Sequence, residues 1–229
     1  MWFILSNIDK GIVLSSSLIR NLTPFVDVSS IHVVFNFAED GLRNPRLNKS
    51  FELLKIIYLG NLIPEKGVFD LLSALLVLKK KGVVFRAKIA GEIDLSSKSK
   101  FESFLLELGD GVEYQGVVRG SKKRNLLEWG NVFVFPTYYP QEGQPIAILE
   151  AMTTGNVVVT TRHAGIPDIV TEKNAFFVDK KCPDQIDAVF ARFYKDRLSF
   201  IEKSANNIVK SAEFTEDKFV SNIIHVINA

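Results

Sequence analysis

From residue 54 onward, short unbroken apolar runs alternate with stretches in which apolar residues recur every three or four positions. LKIIYLG (54–60) has the length and continuity of a buried strand and ends on glycine. Val68, Leu71, Leu72, Leu75 and Leu78 then keep helical spacing up to Gly82. VVFRAKIAG (83–91) predicts a second strand, 97–108 a helix, and GVEYQG (111–116) a third strand. A helix over 121–129 is expected to take Ser121 as its N-cap. NVFVFP (131–136) predicts the fourth strand. Pro145 and Gly155 are placed to open and close the next helix. NVVVTT (156–161) and NAFFVD (174–179) supply two more strands, and after Pro183 the pattern predicts two helices broken near Phe214 and Thr215. Strands apolar throughout and separated by helices call for a parallel sheet covered on both faces. The expected class is therefore α/β, a Rossmann-like doubly wound sheet.

The first 50 residues do not continue this alternation. GIVLSSSLIRNLTPF predicts a strand and a short helix, IHVVFNF (31–37) one more strand, and NFAEDGLRNPRLNKS a linker. Two strands and a helix are too little for a domain, so this part is expected to be the tail of a preceding one.

Composition narrows the possibilities. The chain of 229 residues is 47% hydrophobic and 24% charged, enough for a sizeable core. Its net charge of +2 leaves no footprint for nucleic acid. Lys79, Lys80 and Lys81 end a predicted helix, where they complement its dipole. Cys182 is the single cysteine, so no internal disulfide forms, and a reducing compartment fits. The three histidines are scattered and no D-x-D triplet occurs, so no metal site is predicted. The apolar start is too short to span a membrane and lacks a basic n-region.

Ligands of such sheets bind outside the carboxyl ends of the strands, and the residues without an easy structural reason fall there. Lys66 is expected at a helix start, where the dipole disfavours a cation. It is either a solvated lysine neutralised by Glu65 or a phosphate contact. Glu150 lies within the apolar helix of PQEGQPIAILEAMTTG, eight positions after Glu142. An unpaired charge buried there is unfavourable. Glu150 therefore reaches the surface, pairs with a buried lysine, or accepts hydrogen bonds from a vicinal diol such as a ribose. Glu142 would serve the next group along that ligand.

Gly60-Asn61-Leu62 with Lys66-Gly67, the run NVFVFPTYYPQEG, and Glu142-x7-Glu150 followed by Ala151-Met152 and NVVVTT resemble the retaining glycosyltransferases of family 4 (group 1). The resemblance covers about residues 25–220 and implies the donor-binding second domain of a GT-B enzyme. Residues 51–229 would form the nucleotide-sugar-binding domain, and 1–50 a remnant of the acceptor domain plus linker. It implies Glu150 at the ribose, Glu142 at the donor sugar and Lys66 at the diphosphate, with Glu142 and Lys66 as the catalytic pair. It places Asn61 where relatives carry an arginine. Gly143, Gln144, Pro145 and Ile146 fall in the loop whose backbone contacts sugar and phosphate, although Pro145 has no N–H to give. His163 is read as a loop residue.

The activity implied is hexosyl or related transfer from a nucleotide-diphospho-sugar to a hydroxyl of a sugar or lipid-linked acceptor, with retention and no cofactor. Surface polysaccharide synthesis is the common setting. The resemblance also implies a cytoplasmic location, free or held at the inner face of the membrane. Two rivals stand beside this reading. One is a nucleotide-sugar epimerase using Glu142, His163 and Asp168. The other is a non-catalytic sugar-nucleotide-binding partner, favoured by the short N-terminal part and Asn61, or a truncated product lacking the acceptor domain. The chain alone is expected to transfer no sugar at a useful rate. A partner chain would supply the first domain, or Ile12, Val13, Leu18 and Ile19 would form an exposed apolar patch for self-association.

Overall fold

The computed structural model describes residues 8–44 and 48–228. Two parallel sheets form. β1 (Gly11–Val13) and β2 (Ile31–Val33) make a two-stranded sheet in which Gly11 faces Ile31. β3 (Leu54–Leu59), β4 (Phe85–Ala90), β5 (Val112–Tyr114), β6 (Val132–Phe135), β7 (Val157–Thr160) and β8 (Ala175–Phe177) make a six-stranded sheet in the order β5-β4-β3-β6-β7-β8. Every pairing is parallel. β3 therefore has successive strands running away on both sides, and the β3–β6 seam is the point where strand order reverses.

Helices connect and flank the strands. They are α1 (Val68–Lys80), α2 (Lys98–Leu108), α3 (Gly120–Trp129), α4 (Ile146–Thr153), the short α5 (Ile166–Ile169), α6 (Pro183–Arg192), α7 (Arg197–Ser211) and α8 (Glu216–Asn228). α1 packs on α2 and α6, and α4 on α7. The central strands are buried as their sequence demands: every residue of β6 and β7 is inaccessible or nearly so. Among the described residues no helix is long and apolar enough to cross a membrane.

Three expectations about the helices need correction. Ser121 is not an N-cap. α3 starts at Gly120, whose φ of +52° turns the chain in without a side-chain cap. The region after Pro183 holds three helices, because fully buried Phe193 wedges between Phe51 and Phe200 and breaks the pattern at 193–196. Lys66 belongs to a short 3₁₀ turn, Pro64–Lys66, rather than to the helix that follows. Gly67 separates the two with φ +78°, where a Cβ would collide with the Pro136 backbone.

The expected apolar patch is mostly absent. Val13 joins Val26 and Ile31 in a small second core, with Leu18 and Ile19 packed against it. Ile12, on the opposite face of β1, is the one of the four that is exposed. The segment read as a linker is also less free than its composition suggests. Ala38 and Leu42 enter the main core, and Lys49 donates to the carbonyls of Leu127, Glu128 and Gly130 at the end of α3 (2.6, 2.9 and 2.6 Å).

A crevice at the sheet switch point

The loops after β3 and β6 leave the sheet side by side at the reversal of strand order, where a crevice opens in folds of this kind. They are tied together before any side-chain chemistry begins. The Tyr138 amide donates to the Glu65 carbonyl (2.7 Å), and the buried Tyr58 hydroxyl donates to the Asn61 carbonyl (3.0 Å). Across this junction Lys66 Nζ meets Glu142 Oε2 at 2.7 Å. Both side chains are largely buried, at 16% and 9% exposure. The Thr137 hydroxyl donates to the same carboxylate oxygen (3.2 Å), and the Lys66 ammonium lies 4.7 Å from the Tyr139 ring centroid and 5.5 Å from that of Phe135. The solvated lysine paired with Glu65 is thereby overturned: the partner is Glu142. Burial, and then the Glu142 charge, push the Tyr58 phenol up, so it stays a neutral donor.

Glu150 is the fifth residue of α4, between buried Leu149 and Ala151, and is itself 5% exposed. Lys123 Nζ, in α3, donates to Glu150 Oε1 at 2.5 Å and to Glu39 Oε1 at 2.9 Å. Glu150 therefore does not stand as a free surface carboxylate: a half-buried lysine is its partner. Burial pushes the Glu150 carboxyl up, against the pull of Lys123. Burial also lowers the Lys123 ammonium, but its bonds to Glu150 and Glu39 outweigh that and hold it above its ordinary value. Lys123 was not singled out in the sequence, although a signal was there. It is a cation near the start of a helix, the same oddity that drew attention to Lys66.

The loop between the glutamates behaves in two ways. Among the described residues no acceptor meets the amides of Gly143, Gln144 and Ile146, so three N–H groups at the start of α4 are unclaimed, and Pro145 adds none. The Gln144 side chain does something unforeseen. It is 4% exposed, its Oε1 accepts from the Asn36 amide (2.6 Å), and its carbonyl accepts from Asn36 Nδ2 (3.0 Å). Its Nε2 is buried and finds no partner among the described residues.

Asn61 is exposed at the end of β3 and lines a recess of about 300 Å³ with Glu92 and Asp94, so no cation stands in for an arginine there. His163 Nε2 faces the Tyr139 carbonyl (2.7 Å), which can only accept, and Nδ1 faces Lys180 Nζ (3.0 Å). Facing a carbonyl, Nε2 can only donate, and both ring nitrogens have a partner. Asp168 accepts from the Ser16 amide (2.8 Å). No group of His, Cys, Asp and Glu among the described residues could hold a metal ion.

Comparison with known proteins bears on the family and the fold. The Escherichia coli K12 protein WcaL, named for colanic acid biosynthesis and glycosyl transfer, is 32% identical over 167 residues, 69% of this chain and 41% of its own. The chain thus spans about two fifths of that relative's length. Among solved structures, a Staphylococcus aureus TarM mutant in complex with fondaparinux, α-GlcNAc-glycerol and UDP superposes with a TM-score of 0.81 at 19% identity, over 99% of this chain and 46% of its own. Anabaena HepE with UDP-glucose gives 0.79 at 15% identity, over 99% and 65%. These likenesses carry the fold, the GT-B arrangement of parallel sheet and flanking helices. The family model described as glycosyl transferases group 1 matches residues 44–214, three quarters of the chain, and the chain belongs to that family.

Proposed function

We propose that residues 51–229 are the donor-binding domain of a hexosyl-type glycosyltransferase acting on a nucleotide-diphospho-sugar, and that residues 1–50 belong to an acceptor domain and its linker. The carrying observation is the Lys66–Glu142 pair. A cation and a carboxylate from the loops after β3 and β6 meet at the switch point, beside three unclaimed amides. A diphosphate there receives Lys66 and the amides of Gly143, Gln144 and Ile146. Glu142, released from the lysine, accepts from hydroxyls of the donor sugar, and Glu150 from the ribose diol. The UDP in TarM and the UDP-glucose in HepE support a nucleotide-sugar donor.

The acceptor is a hydroxyl of a sugar or lipid-linked sugar, in surface polysaccharide synthesis. The colanic acid role in WcaL's name supports that setting. Transfer is retaining: the acceptor oxygen bonds to the anomeric carbon on the face from which the diphosphate departs, and its proton goes to a leaving phosphate oxygen. Lys66 and the loop amides stabilise the charge that develops, without metal or cofactor. The work is done in the cytoplasm, free or at the inner membrane face. Calorimetric titration with UDP, GDP and ADP tests the reading. At least one binds with a Kd shared by its sugar conjugate, and absence of binding by all three overturns it.

A further inference from the structure

Glu150 poses a problem that its expected ligand does not solve. It is 5% exposed on an apolar helix, and a lone carboxylate in such a place takes up a proton rather than stay charged. A protonated acid donates one of its bonds and no longer accepts from two hydroxyls at once. The charged groups bearing on Glu150 are Lys123 and, beyond it, Glu39. Lys123 comes from a different helix and is itself tethered from the far side by Glu39, in the segment that joins the two sheets.

We propose that Lys123 is a positioning residue for nucleotide binding: it holds the Glu150 carboxylate ionised and fixed in place for the ribose diol, with Glu39 anchoring the lysine from the connecting segment. The diol half of this rests on the reading of Glu150 given above; the ionisation half does not.

The test uses the full chain with UDP as probe, by calorimetry from pH 6 to pH 9, and thermal melts without ligand over the same range. Lys123→Met is expected to lose least UDP affinity at pH 9, where Glu150 is ionised without the lysine and only its positioning is lost. At pH 6 it is expected to be weaker by about tenfold or more, the effect of one pKa unit. Lys123→Arg is expected to track the wild type throughout. Without ligand, the gap in Tm between Lys123→Met and wild type should be widest at pH 9 and narrow on acidification, as Glu150 takes up a proton and the lone buried charge disappears. If Lys123→Met fails to fold, the double variant Lys123→Met with Glu150→Gln removes that charge. It should fold and bind UDP weakly, with no pH dependence beyond the probe's own. A uniform loss at all pH values, or failure of Lys123→Arg to rescue, assigns Lys123 a merely structural role and overturns the proposal. If the wild type binds no UDP, the ribose reading fails, and the melts alone decide whether Lys123 keeps Glu150 charged.

Discussion

Glu142 and Glu150 lie on one short stretch and each ends on a lysine, yet their surroundings differ in kind. Glu142 sits in a loop, and its supports, Lys66, Thr137 and the Tyr139 ring beneath the lysine, all come from the two loops at the switch point. Glu150 sits on a helix with Lys123 as its partner, and Lys123 leans on Glu39, 64% exposed and outside the six-stranded sheet. The first pair is cross-braced, whereas the second hangs on a single bond between elements. An ion pair is therefore only as robust as what remains when one partner leaves.

Removing each lysine should break the molecule unequally, and this is the largest effect expected. Lys123→Met leaves a buried charge with no other hydrogen-bond donor among the described residues and should destabilise by about 3–5 kcal/mol at pH 8. Lys66→Met leaves Thr137 on Glu142 and should cost less, about 1–3 kcal/mol. Denaturant melts giving equal losses would erase the distinction.

Ligand binding should divide the two glutamates another way. Glu150→Gln keeps the shape and removes the charge, and nucleoside diphosphate should bind about 1–3 kcal/mol more weakly. Unchanged affinity with the fold intact would remove Glu150 from the ribose. Lys66→Ala should weaken nucleoside diphosphate by about 1.5 kcal/mol or more while barely moving the nucleoside, since its contact is with phosphate. Equal losses for the two ligands would confine Lys66 to bracing Glu142.

The smallest effect concerns the other end of the helix that carries Lys123. Burial pushes the Lys49 ammonium down to about 7. The unfolded chain then holds a proton that the folded one releases, so Lys49 makes stability rise with pH from about 7 towards the ordinary lysine value. The gain should be about 1 kcal/mol between pH 7 and pH 8. Lys49→Met should flatten that slope in pH-dependent melts, and an unchanged slope would show that Lys49 stays charged on its three carbonyls.

The strands and helices were legible because period and burial agree. LKIIYLG, NVFVFP and NVVVTT are apolar throughout, and each is a buried parallel strand. The missed break at 193–196 had no local signal, since it depends on Phe193 finding Phe51 from far along the chain. The site was half legible. Glu142, Glu150 and Lys66 stand out as charges where propensity does not want them. Their partners stand out less: Lys123 carries only the helix-start oddity it shares with Lys66, Glu39 looks like an ordinary surface residue, and Gln144 looks like a loop glutamine until Asn36 is brought against it.

By itself the sequence determined the parallel α/β sheet and the family, and it singled out Lys66, Glu142 and Glu150, because apolar periodicity and misplaced charge are local properties of a chain. Only the tertiary structure decided which lysine meets which glutamate. It also decided that the amides of Gly143, Gln144 and Ile146 stay unclaimed, and that the segment around Glu39 reaches back to the ribose carboxylate proposed at Glu150. Such pairings join residues 27, 76 and 108 positions apart, and nothing in a chain's local pattern encodes a distance that folding alone closes.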